Sequence, residues 1–455
     1  MTHKIFHLLR GGVMVLLIML TTLFAASHAW AGAPQIIIRD AEIENNIATW
    51  TKGVVNAAGM NPEQVKIILV QSSDVNAFVA GGANIFINTG LIEKTQNEGE
   101  LIAVIAHELG HIAGGHLTRT GDVARNASFE TMIGALLGIG AAVATKDSSA
   151  AAAGIRIGQG QALNKYMAFS RVQESSADQA GFRFMTGAGY NPTGLVSFLQ
   201  KLSSQELLTR DQQSLYVRTH PLSSERIEAL KNKVDQSGLA DKPWPSAWNE
   251  DYLRSKAKLL AFTSPQQIPY KYGAQDHSIA ADYARAIAAY RTNHVAESLA
   301  MIDALIAREP KNPYFLELKG QMLFDYGRAV EAVGPYQKAS ELAPNSGLIR
   351  LSYAQALIES AGKNPAPLQE AIKQLKRAQQ DEPRVSRIKR LLATAYGRLG
   401  QEPQARVYLA EEALMQGNKK EALNLAKSAK PQLPPKSPEA LRAQDIIDSA
   451  SVGKP

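Results

Sequence analysis

Five consecutive residues are able to act together: His107-Glu108-Leu109-Gly110-His111 sets two imidazoles four positions apart, with a carboxylate beside the first. A helix turns about 100° per residue, so positions four apart lie nearly above one another on one face. Imidazoles placed in this way bind a single Zn²⁺. Glu108 then stands where it takes a proton from a water that the metal has made acidic, and the expected chemistry is metal-assisted hydrolysis of a peptide bond. The chain has no cysteine, so any metal has to be held by His and carboxylate.

A catalytic zinc needs a third protein ligand. A third histidine at 117 would complete one known extension of the motif, and Gly114 fits that spacing, but position 117 is Leu. His116 falls one residue short and reads as a structural or surface histidine. A carboxylate is the alternative. Between Leu117 and Gln173 the acids are Asp122, Glu130 and Asp147, whereas Glu174 is followed four residues later by Asp178. On one helix face Glu174 is able to bind zinc, and Asp178 to hydrogen-bond a ligand histidine and fix its tautomer; the competing reading is a solvated acidic face. His220, in Arg218-Thr219-His220-Pro221, precedes a helix. It is either inert, or a fourth zinc ligand, or a donor to the transition-state oxyanion. Arg226 either supports that oxyanion or pairs with Asp178. The candidate set is therefore His107, His111, Glu174 and His220 around one Zn²⁺ per chain, with Glu108, Asp178 and Arg226 assigned to catalysis. His277 and His294 read as structural.

Several elements have to position these groups. Helices are predicted over Ala41 to Gly59, Glu98 to Gly114 and Phe169 to Gly187; in the second, Leu101, Val104, Ile105 and Leu109 follow helical spacing. Val65 to Leu69 reads as a strand, and Asn76 to Ile87 as a hairpin turning at Gly81-Gly82. Gly82 to Asn88 is the expected exposed edge, which would hold an extended peptide through backbone hydrogen bonds. Met132 to Ala144 is uncharged and rich in Gly and Ala; it reads as a buried helix or a lid, and is too short to span a bilayer. Ser148 to Gly160 reads as flexible.

Beyond about Leu259 the character changes. Pro265, Pro269 and Gly273 suggest a linker, and Ala-rich amphipathic helices follow in pairs. Pro310 and Pro344 are 34 residues apart and enclose Gly320, Ala332, Tyr336 and Ala339. That is the phased pattern of a tetratricopeptide unit. Further units are marked by Ala354, Ala371, Ala378 and Pro383, and by Ala393, Tyr396 and Ala405, with about five extra residues near Gly362.

With 455 residues, 45% hydrophobic and 20% charged, the chain is globular and long enough for more than one domain. Lys4 and Arg10, the apolar run from Gly11 to Phe24 and Ala29-Trp30-Ala31 read as a secretory signal peptide cut after Ala31. Its removal takes two bases from a net charge of +7 and leaves +5. No Lys/Arg tract with interleaved aromatics is present, which argues against nucleic acid. The expected organisation is a signal peptide over 1–31, a metallopeptidase domain over 32–262, a linker over 263–279 and a repeat domain over 280–450.

His107-Glu108-x-x-His111, Glu174-x-x-x-Asp178, Asn88-Thr89-Gly90-Leu91 and Thr219-His220-Pro221 together resemble the M48 family of zinc metallopeptidases. The resemblance implies an α+β, mostly helical gluzincin-type domain with a small β-sheet, followed here by an all-α TPR solenoid. It implies Glu174 as third ligand and His220 as a cap that keeps the zinc latent. With an export signal and repeats, the chain is similar to members of the Gram-negative periplasm. The implied clients are unfolded or misassembled outer-membrane proteins. The implied partner is the outer-membrane β-barrel assembly machinery, reached through the repeats, with peripheral membrane contact. Some family members span the membrane several times, and this chain lacks the long apolar segments they need.

Overall fold

The computed structural model describes residues 36–116, 171–209 and 212–451. The expected signal segment over 1–31, Met132 to Ala144 and Ser148 to Gly160 lie outside the described residues. The described chain is mostly helical, with one small sheet.

After β1 (Ile36–Ile38), the Asp40 side chain accepts from the Ile43 N–H at 2.9 Å and starts α1 (Ala41–Ala57). This helix buries Ile43, Ile47, Trp50 and Val54. Strands β2 (Lys66–Gln71), β3 (Ala77–Ala80) and β4 (Asn84–Asn88) complete a sheet of order β1-β2-β4-β3. β3 and β4 form an antiparallel hairpin, while β2 and β4 run parallel. The expectation of an exposed edge over Gly82 to Asn88 is thus corrected: β4 is an interior strand, and β3 lies at the edge. Gly81 and Gly82 both take positive φ and fold β3 onto one flank of β4, leaving the other flank to β2. The unbroken apolar run Ile85-Phe86-Ile87 suits a strand enclosed on both faces.

After α2 (Thr89–Lys94) comes α3 (Glu98–Ala113), whose start is capped by Asn97 accepting from the Glu100 N–H at 2.9 Å. Every residue from Glu98 to His111 is buried. α4 (Arg171–Gly187) crosses α3 at close range. A Cβ at Gly110 would lie 2.6 Å from the Ala177 carbonyl oxygen, and one at Gly181 3.2 Å from the His107 nitrogen. Only glycines permit this approach, and it carries Glu174 and Asp178 to the two histidines of α3. Helices α5 (Thr193–Ser203), α6 (Leu215–Thr219), α7 (Ser224–Gln236) and α8 (Ser246–Thr263) complete a core containing Trp50, Leu101, Ile105, Phe198 and Tyr216.

Pro265 opens a 3₁₀ turn that leads into α9 (Ile268–Lys271). Ile268 packs with Leu260 of α8 and with Tyr283. Helical pairs then stack: α10 (Ile279–Arg291) with α11 (Val295–Arg308), α12 (Pro313–Asp325) with α13 (Ala329–Leu342), α14 (Gly347–Ser360) with α15 (Pro365–Asp381), α16 (Ser386–Arg398) with α17 (Glu402–Met415), and α18 (Lys419–Ala429) with α19 (Pro438–Ser451). Gly320 accepts the face of Tyr336, whose ring carbon would lie 2.8 Å from a Cβ there. Each pair buries its apolar face on the next, as in a solenoid. No helix of the described residues is long and apolar enough to cross a membrane.

Candidate metal centre

His107 and His111 leave α3 on one face, one turn apart, and their Nε2 atoms are 3.0 Å apart. Glu174, in the first turn of α4, sets Oε2 3.4 Å from His107 Nε2 and Oε1 3.4 Å from His111 Nε2. His220 ends α6, where its backbone N–H donates to the Tyr216 carbonyl at 2.7 Å and its ring lies on the Tyr216 ring, with centroids 4.5 Å apart. Its Nδ1 is 3.1 Å from Glu174 Oε1. One ligand atom from each of His107, His111, Glu174 and His220 lies within 4.8 Å of the others, and all four residues are buried.

An outer layer holds this group. His107 Nδ1 is 3.0 Å from Asp178 Oδ1. Arg226 donates to both Asp178 oxygens, from Nε at 2.7 Å and from Nη2 at 2.9 Å. Its Nη1 donates to the Pro221 carbonyl at 2.6 Å and lies 3.0 Å from Glu174 Oε2. Arg226 is therefore paired with Asp178, and the same guanidinium ties the loop after His220 to α4. The partner of His111 was missed from sequence: His116 is buried and places Nδ1 2.9 Å from His111 Nδ1. The signal available was Gly114-Gly115, which ends the helix just before it. His277 and His294 are exposed.

Glu108 is fully buried, and its two oxygens accept no hydrogen bond among the described residues. Oε1 lies 3.6 Å from His220 Nε2. Burial pushes its carboxyl above the ordinary range, with His220 and His107 opposing the shift. Burial has the same tendency at Glu174, but there the three surrounding imidazoles win and hold the carboxyl well below that range. Burial lowers His111 to about 3, which leaves its ring a lone-pair donor. His107 is as deeply buried, yet the Asp178 and Glu174 carboxylates raise it to about 10. A metal ion has to take the place of a proton there.

The residues fit a divalent cation. Their donors are nitrogen and oxygen only, a set that suits zinc. A buried carboxylate that accepts no hydrogen bond is costly, and a nearby cation or an acidic water would satisfy it.

Comparison with known proteins agrees with this geometry. A profile of Peptidase family M48 matches residues 41–234, and a tetratricopeptide repeat profile matches residues 283–347. Metalloprotease LoiP of Escherichia coli K12 is 30% identical over 41% of this chain and 70% of its own length. The chain belongs to peptidase family M48. Its M48 segment contains every residue of the cluster just described, and the chain is accordingly a metalloendopeptidase of that family. The likeness to two other relatives runs further along the chain. The beta-barrel assembly-enhancing protease of Yersinia pestis is 27% identical over 92% of this chain and 85% of its own. The protein of that name from E. coli K12 is 27% identical over 90% of this chain and 84% of its own.

Proposed function

We propose that this M48 peptidase is a zinc-dependent endopeptidase of the Gram-negative periplasm, cut after Ala31 and carrying one zinc per chain. In this reading it degrades misassembled outer-membrane β-barrel proteins and supports their assembly, with chaperone activity residing in the repeats. The observation that carries the enzymatic part is the convergence of His107, His111, Glu174 and His220 beside a buried Glu108 that accepts no hydrogen bond among the described residues. The cellular part rests on the printed name of relatives matched along nine-tenths of the chain. The working units are a peptidase domain over 32–262, a connection over 263–279 and repeats over 280–450.

His107, His111 and Glu174 would hold the ion, and His220 would occupy a fourth position in the resting enzyme. When bound, zinc supplies Lewis acidity, polarising the scissile carbonyl and acidifying water. Glu108 takes the proton of the attacking water and hands it to the leaving amine; its raised affinity for a proton suits both steps. Asp178 accepts from His107 Nδ1–H and so keeps the Nε2 lone pair directed at the ion. Arg226 holds Asp178 and Glu174 in place. Both are positioning residues. A substrate strand would pair with the edge strand β3, since its residue Ala77 offers a carbonyl 3.4 Å from His220 Nε2.

The test is zinc content and casein cleavage by the mature chain, with and without chelator, beside His220→Ala. One zinc per chain and chelator-sensitive cleavage are expected, with faster basal cleavage in the variant. Cleavage that survives complete removal of metal would sink the enzymatic reading. Slower cleavage by His220→Ala would make His220 a donor to the oxyanion instead of a cap. For the cellular reading, crosslinking of the full chain through its repeats should recover outer-membrane assembly components; their absence counts against it.

A further inference from the structure

The two imidazoles of α3 are backed by different groups. His107 Nδ1 meets the Asp178 carboxylate at 3.0 Å, whereas His111 Nδ1 meets another imidazole, that of His116, at 2.9 Å. The chain makes specific provision for that second contact. Gly115 has φ of +61°, a left-handed conformation that ends α3 and turns the backbone back on itself. Its N–H donates to the Ile112 carbonyl at 3.1 Å, closing the turn. Gly114 leaves open the space the ring needs, because a Cβ there would overlap His116 Nε2. The result is a histidine 4% exposed, edge-on to His111 with ring centroids 5.0 Å apart.

We infer that His116 is a positioning residue of the metal centre: a neutral hydrogen-bond acceptor that orients His111 so that Nε2 faces the ion. The inference rests on the metal-centre reading proposed above. If His111 binds through Nε2, its proton sits on Nδ1. That N–H needs an acceptor, and His116 Nδ1 provides a lone pair only when the His116 proton sits on Nε2. The contact thus fixes the tautomers of both rings. A neutral imidazole accepts less strongly than a carboxylate, so His111 is the less basic of the two ligands, and its orientation depends on His116.

The experiment is Zn²⁺ affinity of the mature full chain, measured by competition with a chromogenic chelator, together with thermal unfolding of the metal-free protein. His116→Ala is expected to weaken Zn²⁺ binding by about 10- to 100-fold. His116→Asn, whose side-chain oxygen falls near the position of Nδ1, should recover most of that loss. Gly114→Ala should weaken binding while keeping the histidine, because it displaces the ring; it also serves if His116→Ala does not fold. Unchanged affinity in His116→Ala, or an Asn variant no better than Ala, overturns the inference. A drop in metal-free stability with unchanged affinity makes His116 a packing residue and overturns it as well. Wild-type chain that binds no Zn²⁺ overturns the metal-centre reading, and this inference with it. Wild-type binding that His116→Ala leaves intact overturns this inference alone.

Discussion

Two clusters of charge among the described residues are built on different plans. One is the metal centre. The other lies where the peptidase part meets the repeats. There Lys258 of α8 reaches Asp40 at 2.8 Å and Glu42 at 3.2 Å, and the Tyr283 hydroxyl of α10 donates to Glu42 at 2.9 Å. Arg254 pairs with Glu309 at 3.0 Å, and Arg39 joins Glu44 at 2.9 Å to Glu382 at 2.8 Å. Around these pairs Ala41 packs with Leu316, Ala339 and Ile349 of the repeats. At the junction, then, most acids meet a lysine, an arginine or a phenol brought by another element. At the metal centre Arg226 holds Asp178 and Glu174 from the outside, imidazoles surround Glu174 from the inside, and Glu108 accepts no hydrogen bond among the described residues. Charges that answer one another hold two parts of a chain together. Imidazoles and a carboxylate gathered beside a buried glutamate that accepts no hydrogen bond among the described residues suit a cation and a reacting water.

The comparison breaks most sharply at Glu108. Glu108→Gln keeps the volume and removes the base. Casein cleavage should fall by about 10²- to 10⁴-fold while the bound zinc and the unfolding temperature stay near wild type. Retained cleavage would mean that the buried carboxylate has no part in the chemistry.

Lys258→Met is the corresponding change at the junction. It leaves Asp40 and Glu42 facing each other without their shared cation. Removing one partner of a buried pair costs about 3–5 kcal/mol. Denaturant unfolding should show that loss, with zinc affinity unchanged in the folded protein. Loss of zinc affinity without loss of stability would mean that the two clusters are not separate in function.

These two regions were not equally legible in the sequence. His107 and His111 share a helix face because of a four-residue spacing, which is a local property. Glu174 and Asp178 stood out because they repeat that spacing. The repeats announced themselves through period: α10, α12 and α14 begin at Ile279, Pro313 and Gly347, successive steps of 34, and α16 begins at Ser386, five later than that period. What was not legible depends on tertiary contact. Strand order is set by which flank of β4 the hairpin covers, and residue pattern alone placed the edge on the wrong strand. β1 is three residues long and carries no periodic signal. His116 reaches His111 because Gly115 turns the chain back and Gly114 leaves room for the ring. Several junction pairs join residues more than 200 positions apart, such as Lys258 with Glu42, and neither residue carries a local mark of the other.

The smallest expected effect comes from the junction's exception. Glu317 of α12 sits near Asp40, Glu42 and Glu44 with Lys258 in opposition, and its Oε2 accepts no hydrogen bond among the described residues. Burial, reinforced by those acids, pushes its carboxyl up to about 8 from an ordinary 4.5. The folded chain therefore keeps this proton through a range in which the unfolded chain has released it. Its contribution to stability is full below pH 4.5 and is lost as pH rises towards 8. Glu317→Gln cannot ionise and removes that slope. Near pH 5 the variant and wild type should unfold together. Near pH 8.5 the variant should be more stable by about 1 kcal/mol, a modest figure because Glu317 is partly solvent-accessible. Thermal unfolding across pH measures this directly. Parallel profiles for the two proteins would mean that Glu317 ionises freely in the folded chain, and that the junction, unlike the metal centre, holds no acid short of a partner.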